Sequence, residues 1–149
     1  MAFHPRRAIL CAMTGKTDQL KDEDYQTLAA IRAALRRFTH FSEEAAKTAG
    51  LTPQQHQALL AIRAAPGAAM AIGALAEFLL IQPHSASELA DRLAALGLVE
   101  RKPSAKDRRI TALHLTRAAE GKLLSLSVAH RDELRQLRPL LSALLARLD

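Results

Sequence analysis

The chain has 149 residues, 49% of them apolar, a net charge of +6 and a single cysteine. That length and composition suit one folded domain and exclude a disordered chain, while a lone Cys11 excludes an internal disulfide framework. Aromatic residues are only 3% and Trp is absent, so Ala and Leu carry the apolar load and a mainly α fold is expected.

Residues 1–21 lack a sustained period and read as an N-terminal arm with one short helical turn near Ile9. Arg6 and Arg7 precede a short apolar stretch that Thr14-Gly15-Lys16 ends, too short for the core of a secretory signal. Nothing in the chain approaches the length of a membrane span, and a cytoplasmic location is expected.

A long helix is predicted from Asp22 to Thr48, with Leu28, Ile31, Leu35, Phe38, Phe41 and Ala45 on one face. Gly50 ends it. Thr52-Pro53-Gln54-Gln55 then opens a second helix, with Thr52 as cap, Pro53 at the first helical position and Gln55 closing a capping box. This helix carries Leu59, Leu60 and Ile62 and stops at Pro66-Gly67. A third runs from Ile72 to about Leu80, facing inward with Ile72, Leu75, Ala76 and Leu79. Pro83 opens a fourth, which turns Ala86, Leu89, Ala90 and Leu93 inward, reaches Leu96 and closes at Gly97.

The period then changes. Leu98–Arg101 and Ile110–Leu115 read as two strands, the second alternating Leu113 and Leu115 against Ala112 and His114. Between them lies a basic hairpin tip. Thr116 caps a helix to about Leu137, and Pro139 is expected to open a separate last one carrying Leu140, Leu141, Leu144, Leu145 and Leu148.

Two helices followed at once by a basic hairpin make a winged helix-turn-helix. The fold class is therefore mainly α (α+β). Residues 22–149 form one domain, with the winged unit at approximately 52–115 and long helical segments at 22–49 and 116–149.

A reader of this kind lays its second helix in the major groove. Gln82 just ahead of that helix, and His84, Ser85, Ser87 and Glu88 on its outer side, are the candidates for base and phosphate contacts. Ser and His can bond phosphate or base edges, and Glu can accept from cytosine. Taken alone, these residues also suit the polar side of an ordinary amphipathic helix.

The wing candidates are Lys102, Lys106, Asp107, Arg108 and Arg109. Arginine at a ribbon tip suits the narrow, negative minor groove. Asp107 suits a structural task, accepting bonds from a neighbouring Arg or from the tip backbone and so aiming the remaining Arg.

At this point the chain resembles the MarR family of transcriptional regulators. The likeness rests on Gly50-Leu51-Thr52-Pro53-Gln54-Gln55, on Ile72–Glu77, on Leu89–Arg101, and most specifically on Asp107-Arg108-Arg109 followed by Leu113-His114-Leu115-Thr116. It covers roughly residues 24–148. The resemblance implies a homodimer joined by the segments 22–49 and 116–149, acting as dimerisation helices. It also implies double-stranded operator DNA of pseudo-palindromic sequence, and repression relieved by a small-molecule effector held between those helices and the winged lobe. Phe38, His40 and Phe41 on the first helix and His56 on the second are the candidate effector-pocket residues. Glu88 departs from the family, where a base is usual. It either reads cytosine or pairs with Arg92 one turn on.

The chain shows no nucleophile–base pair, phosphate-binding Gly loop or metal-ligand spacing, so no enzyme, cofactor or metal site is expected. Cys11 has no cationic neighbour beyond Arg6 and Arg7 and carries little case as a redox sensor. The competing class is a winged-helix protein-interaction module with little DNA affinity.

Overall fold

In a computed structural model, residues 20–105 and 107–148 are described. The N-terminal arm with Cys11, and Lys106 at the hairpin tip, fall outside that set.

Helix α1 spans Asp22–Thr48. Asp24 starts it by accepting the backbone N–H of Lys21 at 2.7 Å, and Asp22, Glu23 and Asp24 suit the positive end of the helix dipole. Helix α2, Pro53–Ala64, begins as its sequence predicts: Thr52 Oγ1 accepts from Gln55 N at 3.2 Å, and Gln55 Oε1 accepts from Thr52 N at 2.9 Å. A 3-10 turn, Pro66–Ala68, leads into a short strand β1, Ala69–Ala71. Helices α3, Ile72–Leu79, and α4, Pro83–Ala95, follow. Strands β2, Val99–Pro103, and β3, Thr111–Leu115, form the hairpin, and α5 runs from Arg117 to Leu145.

The sheet has the order β1-β3-β2 and is antiparallel throughout. β1 pairs Met70 with Leu113, and β2 pairs Arg101 with Leu113 on the other side. Placing β3 in the middle changes its expected burial. Ala112 is buried along with Leu113, although the alternating pattern assigns it to the opposite face. β1 itself has no signature in the sequence, because Ala-Met-Ala is too short to show a period and its strand geometry comes from the β3 ladder.

The core of the winged unit is closed. Leu59, Ile62, Leu75, Leu89, Leu93 and Leu113 are fully buried. Gly97 takes φ +67°, the left-handed turn that ends α4. Leu80 takes φ +56° in the turn between α3 and α4 without the freedom of a glycine.

One expectation fails on the long helices. α5 is one helix, not two, and passes through Pro139 unbroken. Pro139 removes a single backbone donor. Both it and Arg135, whose carbonyl loses that partner, are exposed, so water can satisfy the carbonyl. On α1 the predicted apolar face is only partly covered within the chain. Leu28 and Leu35 are exposed while Thr27, Ala34 and Ala46 are buried. No described helix is long and apolar enough to cross a membrane.

Candidate functional site

The wing is more heavily paired than its sequence suggests. Arg101 Nη2 donates to Asp91 Oδ1 at 2.6 Å and to the Ser87 carbonyl at 3.4 Å, tying β2 to α4. Lys102 Nζ lies 2.6 Å from Glu100 Oε2 and holds that carboxyl below the usual carboxylate range. Asp107 accepts three hydrogen bonds from Arg109: its backbone N–H at 3.0 Å, Nε at 3.1 Å and Nη2 at 3.1 Å. The side-chain bond, then the backbone one, keeps Asp107 ionised well into acid. Asp107 therefore fixes the loop, as its sequence context predicts.

Three of the bases in the run thus face a carboxylate. Among the described residues, Arg108 is exposed and has no hydrogen-bond or ion-pair partner. Surface pairs of this kind are weak, so a competing anion can displace the carboxylate from each of these cations. Arg108 needs no such displacement.

Beside the wing, Pro83 at the first position starts α4 without a donor to orphan, and Gln82 is its cap residue. Gln82, His84 and Glu88 are exposed, and Ser85 and Ser87 are half-buried. The Ser87 carbonyl is engaged by Arg101. Glu88 forms no ion pair with Arg92 among the described residues, so the pairing that i+4 spacing allows is not made. Thr116 closes the unit. Its Oγ1 donates to the Gly97 carbonyl at 2.7 Å and accepts from Ala119 N at 3.3 Å, and its backbone N–H donates to Leu98 O. One residue therefore joins the end of α4, the end of β3 and the start of α5.

A second feature lies on the opposite side of α2. A cleft of about 820 Å³ opens between α1, α2 and α5. Of the four pocket candidates, Phe38 and His56 line it. Phe41 does not line it but packs edge-on against His130 at 5.5 Å. His40 is exposed and lies outside the lining.

The residue that organises the cleft is His130, which sequence reasoning passed over. Its Nδ1 donates to the Leu126 carbonyl at 2.6 Å, and its Nε2 lies 2.7 Å from Ser42 Oγ. Its ring stands edge-on to Phe38 at 5.8 Å and tilted against His56 at 4.7 Å. The available signal is its period: His130 follows Leu123 and Leu126 on the inward side of α5. His56 is 4% exposed. Burial, and then the neighbouring His130, hold its imidazole below the ordinary value, so it is neutral at pH 7.

Residues 49–110 match the model of the MarR family. AbsC, a MarR family transcriptional regulator from Streptomyces coelicolor, superposes with a TM-score of 0.65 at 22% identity, covering 80% of this chain and 81% of that one. YusO from Bacillus subtilis gives 0.62 at 22% identity, over 90% and 97%. A mutant MarR from E. coli complexed with operator DNA gives 0.63 at 22% identity, over 79% and 84%. At such identities these likenesses establish a shared fold. No curated protein matches the chain.

Proposed function

We propose that the protein is a homodimeric, sequence-specific binder of duplex DNA, a reading supported by the match of residues 49–110 to the MarR family model. On this reading it represses transcription and is released by a small molecule in the α1–α2–α5 cleft. The observation that carries the DNA reading is the wing tip. Asp107 clamps Arg109 and leaves Arg108 exposed and unpaired, on a wing that Arg101 ties to α4. The Arg101–Asp91 pair holds wing and helix in one frame, so groove and ribbon contacts are presented together.

The dimer reading rests on α1 and α5. Tyr25, Leu28 and Leu35 on α1, with Leu124, Val128 and Leu140 on α5, are exposed in the single chain. That apolar surface is what an interlocked second copy would cover. In such a dimer the two α4 helices meet half-sites about one DNA turn apart.

The test is selection from a randomised duplex pool, followed by titration of the recovered site. A pseudo-palindrome is expected. Arg108→Ala should weaken binding on every sequence by roughly tenfold and flatten the salt slope by about one phosphate contact. Unchanged affinity would refute the wing assignment. Glu88, an unpaired acid on the reading helix, favours the competing interaction-module reading. No enrichment and no salt-sensitive DNA binding would decide for it.

A further inference from the structure

The reading helix carries one charge that nothing else in the described chain answers. Resting on the DNA-binding reading, we propose that Glu88 is a specificity-determining residue that selects a cytosine in each half-site by accepting the hydrogen bond of its N4 amine in the major groove.

The place of Glu88 on α4 comes first. Ala86, Leu89, Ala90 and Leu93 are buried. His84, Glu88 and Asp91, at intervals of four and three, form an exposed ridge on the opposite side. A helix laid in the groove by its outer side presents this ridge to the base edges. Asp91 is already engaged, its Oδ1 accepting from Arg101 Nη2 at 2.6 Å. Glu88 is not. His84 stands one turn before it and Arg92 one turn after, both at the spacing of helix neighbours, yet Glu88 forms no ion pair with either among the described residues.

A free acid here lowers affinity for every sequence, because it faces phosphates. It also discriminates, because a carboxylate has acceptors only. In the major groove guanine presents N7 and O6, and thymine presents O4, all acceptors that repel it. Adenine and cytosine present an amine. Beside the adenine N6 amine lies the N7 lone pair, which opposes the second carboxylate oxygen, whereas beside the cytosine N4 amine lies only a C–H. Cytosine is therefore the base that fits Glu88 best. His84, four residues earlier, is about 6 Å away along the helix axis, close to two base-pair steps, so the two side chains address different base pairs.

The test selects sites from a randomised duplex pool with the wild-type protein, Glu88→Gln and Glu88→Ala, each checked for folding and oligomeric state. The wild type should recover cytosine at one symmetry-related position in each half-site. Glutamine bonds both N6 and N7 of adenine, so E88Q should move that position to adenine and leave the other positions as they were. E88A should lose the preference there. In direct titration, replacing the cytosine by thymine should weaken wild-type binding roughly tenfold and E88A binding by about twofold at most. N4-methylcytosine keeps its pairing with guanine but turns a methyl group into the groove, and should weaken the wild type alone. E88Q should also bind random duplex more tightly, with one repulsion of phosphate removed.

The same base preferences in all three proteins would overturn the inference and leave the DNA-binding reading standing, since a site is still selected. A position that answers to Glu88 but holds a base other than cytosine would overturn the cytosine assignment. No enrichment by the wild type would overturn sequence-specific binding and the inference together.

Discussion

The winged unit and the pair of long helices handle apolar surface in opposite ways. In the winged unit, Leu59, Ile62, Leu75, Leu89 and Leu93 vanish from solvent, α2 starts with a cap and a proline, and α4 starts with a proline. Along α1 and α5, Leu35, Leu124, Leu134 and Leu145 remain exposed, and the two helices meet where Phe38, Phe41 and Ser42 pack against His130. The first region closes its core within the chain, with Phe78, Leu80, Leu96 and Ile110 left outside it. The second leaves the greater part of its apolar face to the partner proposed above.

Substitutions can break this contrast. The largest effect belongs to the closed core: Leu93→Ala should cost roughly 2–5 kcal/mol in urea unfolding, because it opens a cavity among fully buried neighbours. A charge on the open face should act differently. Leu35→Glu is expected to convert the proposed dimer to monomer in sedimentation equilibrium while far-UV dichroism keeps its helical signal. A stable dimer in that variant would show that the exposed face is not the interface.

Acid sharpens the comparison. His56 has its folded-state pKa depressed, so its contribution to stability is complete above the unfolded value of about 6.5 and is lost as pH falls below it. Unfolding midpoints should therefore drop from pH 7 toward pH 5 in the wild type and drop less in His56→Gln. Equal slopes in the two proteins would mean that other groups govern the acid limb. The smallest effect concerns the turn between α3 and α4. Leu80→Gly should raise stability by about 1 kcal/mol, since Leu80 holds a left-handed φ and is 79% exposed, losing little packing.

What could be read from the sequence was what is decided within one turn of chain. Thr52-Pro53-Gln55, Gly97 and the Thr116 cap on Ala119 act within a few positions of chain, so their chemistry is local and legible, whereas the bond from Thr116 to Gly97 is not. The Asp107–Arg109 clamp is legible for the same reason, spanning two residues. What escaped depends on distant partners. β1 exists only because β3 lies beside it. His130 meets Ser42 across 88 positions, and no spacing rule joins them. The wing's basic run was legible as sequence, but its pairing to Asp91 and Glu100 was not, so its free charge was overestimated. Pro139 misled because a rule about helix interiors was applied to an exposed position where water can serve the orphaned carbonyl.

The unbroken course of α5 has a mechanical meaning. At 1.5 Å per residue its 29 residues form a rod about 44 Å long, and His130 lies about 20 Å from its first turn. That first turn is fastened by Thr116, which follows β3 directly, to the end of α4. A joint at Pro139 would have left the far end of the rod free to swing alone. Without one, α5 is a lever, and a tilt imposed at the histidines reaches the wing as a displacement of the whole frame.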